Sequence, residues 1–345
     1  MEAVLNAMTT KTKAIYAKRL KDTDYNNLVQ KRSVPEIASY LKNETYFRDS
    51  LDGINEKALH RGQLEILIRN DLIIRLSKIL RYAFGSKATG FTDTIATQSE
   101  INLIQTVIRS FVIRDYDQVV AKLPVIIESH ITFDLKAIVA CRSFDELLSV
   151  LKGTPYHDIV ERYAKTDMND FDFTGLDQEL HRYYYQRMQD FVRNSFKGED
   201  REAVEELFNT EVELDNISKI YRLKKYFNAS PAIIRSLITP IYSRFSKKDI
   251  EDIIEHTDAD HVFDRLMDSS YKNYIKEVNF LYIEHTTKMI NYNMNKRQIL
   301  FSSDPNLVLY AYMVLMGIEI ENIIDIIEGV RYKVPVDQIK RMLIY

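Results

Sequence analysis

Few side chains in this sequence invite a chemical reading, and the sharpest invitation is His157 followed by Asp158. That adjacency occurs in helical metal-dependent phosphohydrolases, where imidazole and carboxylate converge on one ion; His130 is the candidate partner. The chain repeats itself, however, and the places equivalent to His157 hold Phe47 and Lys272, neither a metal ligand. His256 and His261 are five residues apart, on different faces and across a helix cap, which predicts surface positions. The other histidines are His60, His181 and His285, and no H-E-x-x-H pair exists. Cys141 is the only cysteine, which excludes a disulfide framework, a cysteine-ligated zinc and a C-x-x-C redox pair. Beside Ala-Ile-Val-Ala it is expected to be a small buried hydrophobe rather than a nucleophile.

Two further stretches resemble binding motifs without meeting their requirements. Gly85-Ser-Lys-Ala-Thr-Gly90 has glycines and a lysine but not the G-x-x-x-x-G-K-[ST] order that cradles phosphate, so a polar connector between two helices is expected. Tyr183-Tyr-Tyr185 with Phe191 could stack bases, but no basic groove accompanies them, and packing is the expectation. Residues 11–32 carry seven basic and two acidic side chains, suited to an acidic partner or anionic headgroups, although the solvated side of a long helix explains them more simply. No residue is therefore assigned as catalytic, cofactor-binding or metal-binding. Neither a nucleic acid nor a small-molecule substrate is expected as a partner.

The elements that would position such residues are helices. The 345 residues include nine glycines and seven prolines, well below the roughly 12% average, which disfavours sandwiches, barrels and multi-strand sheets. A hydrophobic share of 46% supports a buried core, and a net charge of −3 argues against a nucleic-acid binder relying on counterion release. The longest uncharged apolar run, 307–318, is shorter than the roughly 20 residues of a spanning helix, and no secretory signal opens the chain. A cytoplasmic protein is expected.

Over 63–84, Leu64, Leu67, Ile68, Leu72, Leu76, Ile79, Leu80 and Ala83 recur at helical spacing, with Arg69, Asp71, Arg75 and Arg81 assigned to the opposite side. Ser33-Val-Pro-Glu36 and Ser143-Phe-Asp-Glu146 have the capping-box form, and Asp258 reads as a plain cap. Val125-Ile-Ile127 is too short for a convincing strand. The fold class is all-α.

The strongest signal is internal repetition. Windows opening at Ser33, Ser143 and Asp258 each carry a leucine eight residues on (Leu41, Leu151, Leu266) and a tyrosine thirteen on (Tyr46, Tyr156, Tyr271). Ile15-Tyr16-Ala-Lys-Arg19 reads like Ile241-Tyr242-Ser-Arg-Phe245. Glu213-Leu-Asp-Asn216-Ile217 matches Glu319-Ile-Glu-Asn322-Ile323 at an offset of 106, followed by Tyr226 with Tyr332, Ile233 with Ile339, Arg235 with Arg341 and Leu237 with Leu343. A weaker first copy, Glu100-Ile-Asn-Leu103-Ile104, has lost the asparagine. Three helical units are expected, 1–123, 124–237 and 238–345. Large repeated units either stack in a line or close around an axis, and closure leaves an axial hollow.

These blocks resemble those of the V-type ATPase C subunit, the archaeal and bacterial counterpart of the eukaryotic d subunit. The resemblance rests on the closing segment from Glu319 through Gly329 to Leu343, the middle Glu211-Val-Glu-Leu-Asp-Asn216 with Arg222, and the opening from Tyr16 through Leu41 to Tyr46. It implies a funnel of three pseudo-threefold-related units with a central cavity. It also implies a non-catalytic rotor component on the cytoplasmic face of the membrane, joining the shaft formed by the D and F subunits to the proteolipid ring. The resemblance carries no cofactor. Two other classes stand beside it: a helical-repeat adaptor unrelated to rotary ATPases, and a helical metal hydrolase built on His157.

Overall fold

A computed structural model describes residues 2–81, 86–113, 131–164, 171–275 and 282–345. The regular elements among them are all helical, and no strand occurs among the described residues. Gly85, the 125–127 run, Ala83 and His130 lie outside the described residues. The chain enters through α1 (Glu2–Tyr16), α2 (Asp22–Leu28) and α3 (Val34–Glu44). It continues through α4 (Arg48–Leu51), α5 (Arg61–Leu80), α6 (Ser86–Ile113), α7 (Leu135–Ala140), α8 (Phe144–Leu151), α9 (Tyr156–Ala164) and α10 (Phe173–Ser195). The remainder holds α11 (Gly198–Phe227), α12 (Pro231–Leu237), α13 (Lys247–His256), α14 (Val262–Asp268), α15 (Ile283–Phe301), α16 (Pro305–Arg331) and α17 (Val336–Met342).

Packing divides the chain into two compact units: Ala38–Ser195, and Met1–Ile37 together with Phe196–Tyr345. In the first, α6 lies against α10 and α7, while α9 joins α8 to α10. Ile104, Val107 and Ile108 of α6, Leu147 and Leu151 of α8, Val160 of α9 and Leu180 of α10 share one core. In the second, α16 is central and packs against α1, α11, α15 and α17. Its apolar stretch is long enough to cross a membrane by length and composition, but most of it is buried within the unit. Val308, Leu309, Ala311, Tyr312, Ile323, Ile326 and Ile327 have no exposed surface. A helix covered on every side needs apolar residues on every side, which accounts for the uncharged run 307–318.

Local signals are mostly where the sequence places them, with instructive exceptions. Ser33 and Ser143 accept from the amides of Glu36 and Glu146, but each glutamate returns its bond to the residue before the serine, Arg32 or Arg142. Asp258 makes no side-chain cap; it precedes a single 3-10 turn closed by its carbonyl. Ser246 and Asp249 form a reciprocal box in which aspartate takes the place of the usual glutamate. Residues 86–90, expected as a connector, begin α6. The basic stretch 11–32 is not one long helix but α1, a turn and α2.

On α5, Asp71 is buried instead of facing solvent. Arg75 pairs with it, Ser50 donates to it at 2.6 Å, and the Arg75 guanidinium lies 3.7 Å above the Tyr46 ring. Burial pushes the Asp71 carboxyl upward, opposed chiefly by Arg75. Hydrophobic periodicity cannot see an ion pair that satisfies itself inside.

Candidate functional site

The recurring glutamates are the structural centre of the repeats. Glu213 on α11 is fully buried. It accepts from the backbone amides of Ser243 at 2.7 Å, Arg244 at 2.9 Å and Phe245 at 3.2 Å, and from the Tyr271 hydroxyl at 2.5 Å. Those amides form the turn that precedes α13. A buried carboxylate is costly unless donors replace its water, and consecutive amides in a turn are suited to that task.

The same construction occurs at two other places. Glu100 on α6 accepts from the amide of Thr132, from its hydroxyl at 2.7 Å and from the Tyr156 hydroxyl at 2.6 Å, just ahead of α7. Glu319 on α16 accepts from the Leu20 amide at 2.8 Å, just ahead of α2. In each case a long helix holds the entry turn of a short one. Burial first, and the adjoining glutamate second, push the Tyr156 and Tyr271 hydroxyls far upward, so both remain protonated donors. Tyr46, the third tyrosine of the series, is instead engaged by Arg75, which also donates to its carbonyl at 2.9 Å.

The asparagines make a second clamp one turn further on. Asn216 donates to the Thr239 carbonyl at 2.6 Å and accepts from its amide at 2.9 Å. Asn322 does the same with Ile344, at 2.7 and 3.0 Å. At the corresponding place in the first copy, Leu103 is buried in the core instead.

Beyond these helices the register differs from the sequence alignment by one residue. Ala229 reaches back six residues to the Leu223 carbonyl, whereas Val334 reaches back five to Gly329. The left-handed residues Asn228 and Lys333 are accordingly 105 apart. Ile339 therefore corresponds to buried Ile234, and Leu343 to Ile238, not to Ile233 and Leu237. Ile233 is half exposed. Gly329 gives Ile339 its room, since a Cβ there would lie 2.6 Å from Ile339 Cδ1 and force that side chain to shift.

The other singled-out residues are dispersed. On α9, His157 pairs with Asp158 at 3.0 Å, and together with Glu161 their ligand atoms lie within 4.8 Å of one another. Asp158 is 88% exposed, the geometry of a surface pair. Cys141 is buried beside α7, with its thiol 3.4 Å from the Ala137 carbonyl and pushed upward by burial. His256 and His261 are exposed. Tyr183 meets Tyr156 edge-on at 5.4 Å and joins the core. Lys13 of the basic stretch binds the carbonyls of Leu300 and Ser302 at the end of α15.

Fold and contacts together define a helical-repeat protein whose recurring polar groups hold backbone. A family model described as "ATP synthase (C/AC39) subunit" matches residues 8–342, and the chain belongs to that family. It is similar to the C subunit of the A-type ATP synthase of Thermococcus gammatolerans, 24% identical over 65% of this chain and 58% of that protein. It is likewise similar to the proteins of the same name from Pyrococcus abyssi (23%, covering 77% of this chain and 68% of that protein) and Desulfurococcus (25%, covering 62% and 55%). The matches thus span between about half and two thirds of the relatives' length.

Proposed function

We propose that this chain is a non-catalytic rotor component of an A/V-type ATPase, peripheral on the cytoplasmic face of the membrane. In this reading three repeats, near 1–123, 124–237 and 238–345, close about a pseudo-threefold axis into a funnel. The hollow receives the shaft formed by the D and F subunits, and the rim rests on the proteolipid ring. The observation that carries the reading is the threefold recurrence of one buried contact, a helix glutamate on the turn entering the next short helix. Torque passes through a body only if its parts do not slip. Close-packed helices resist compression, and the glutamate and asparagine clamps pin the joints between them. The test is co-purification: at low salt the chain is expected to retain both a proteolipid ring and a D–F pair. Binding neither at micromolar concentration would overturn the assignment.

A further inference from the structure

The Glu319 clamp borders a cavity of about 110 Å³, lined by Arg19, Lys21 and Lys296 against Asp22 and Glu319, with Tyr16 in its wall. Comparison with the Glu213 clamp shows what is unusual here. There, Arg244 directly precedes Phe245 and donates to Glu206 at 2.9 Å. Here the amide held by the glutamate is that of Leu20, which sets Arg19 opposite Arg244, one residue from the sequence alignment of Arg19 with Phe245; the residue 106 beyond Glu206 is Tyr312, so no carboxylate stands at that place.

Among the described residues, none of the three cations has a carboxylate within ion-pair distance. Arg19 lies 4.5 Å from the Tyr16 ring centre and Lys296 5.0 Å from that of Tyr292. Burial, then the charge of Arg19, depress the Lys296 ammonium. Tyr16 is 4% exposed, and its hydroxyl, with Tyr292 as a neighbour, makes no well-formed hydrogen bond. Burial pushes that hydroxyl upward, so it remains a donor. Glu319 is engaged by the Leu20 amide. Two crowded, half-buried cations, Arg19 and Lys296, beside a buried hydroxyl whose neighbouring acceptor is another phenol favour a compact oxyanion.

We propose that this cavity binds a phosphoryl oxyanion, held by Arg19 and Lys296 with the Tyr16 hydroxyl donating to it. The cavity holds one such group and a few waters. It falls below the roughly 300 Å³ at which sites for drug-sized ligands begin.

The experiment is calorimetric titration of the full chain with inorganic phosphate, and separately with glycerol phosphate, at ionic strength held constant with chloride. Saturable one-site binding is expected. It should weaken about tenfold in Arg19→Met or Lys296→Met, the effect of losing one charge-assisted hydrogen bond. Tyr16→Phe, which keeps the packing, should weaken it several-fold, and Arg244→Met should leave it unchanged. Tighter binding of inorganic phosphate identifies a free ion; tighter binding of the ester identifies a phosphoryl group carried by a larger molecule. Absence of saturable binding overturns the proposal, as does unchanged affinity in a natively melting Arg19→Met/Lys296→Met protein.

Discussion

The Tyr271 hydroxyl donates to the Glu213 carboxylate at 2.5 Å across 58 residues of chain, and Tyr156 does the same to Glu100 at 2.6 Å across 56. In both, a repeated tyrosine and a repeated glutamate complete one buried site. Glu213→Ala strands the Tyr271 hydroxyl and three amides. It should destabilise the unit by about 3 kcal/mol or more, because each unmet buried polar group costs about 1–3 kcal/mol. Tyr271→Phe should cost about 1–2 kcal/mol. The two changes should be non-additive by roughly 0.5–3 kcal/mol, as expected of contacting partners. Denaturant melts of the four proteins in the cycle measure this, and additivity would count against a shared site.

Asn322 secures the final residues through Ile344, and Tyr25 stacks on Tyr345 with ring centres 4.2 Å apart. Asn322→Leu places here the residue type that Leu103 presents in the first copy. It removes both bonds to Ile344 and should cost about 2 kcal/mol. Hydrogen exchange at the Ile344 amide should accelerate by at least tenfold while amides in α11 keep their protection. Unchanged exchange at Ile344 would mean the asparagine holds nothing.

His285 is buried on α15, its Nε2 without a partner. Burial lowers its imidazole below the usual value of about 6.5, and neighbouring Lys288 lowers it further, against an opposing bond to the Leu343 backbone. The folded state therefore favours the neutral ring. Its contribution to stability is complete above pH 6.5 and is lost as pH falls through the lower folded value, with a slope of up to about 1.4 kcal/mol per pH unit. Melting temperatures between pH 7.5 and 5 should fall more steeply for the parent than for His285→Asn. Parallel profiles would refute the assignment.

Much of this is legible in the chain because repeats expose what composition hides. Glu100, Glu213 and Glu319, the tyrosines and the asparagines all stand out by recurrence. The pairing of tyrosine with glutamate does not, nor do the other partners, because the glutamates also bind backbone amides, and an amide has no letter in the sequence. Periodicity misplaces Asp71 and Arg75 for a related reason: a charge reads as exposed until its partner is seen. The one-residue slip at Asn228 and Lys333 lies in cap geometry, where an extra residue leaves the neighbouring pattern of residue types intact.

The amino-acid order was enough to show that the protein is helical, to place the helix over 63–84 and the starts near Ser33 and Ser143, and to show that one motif recurs along the chain. Those properties are local or periodic, fixed by spacing, capping and turn composition within a few residues. It took the packed fold to bring Glu319 to Leu20 across 299 residues and to leave Arg19 without the carboxylate that Arg244 finds in Glu206. A contact between distant residues depends on how helices pack, and packing sums many weak interactions that no single segment encodes.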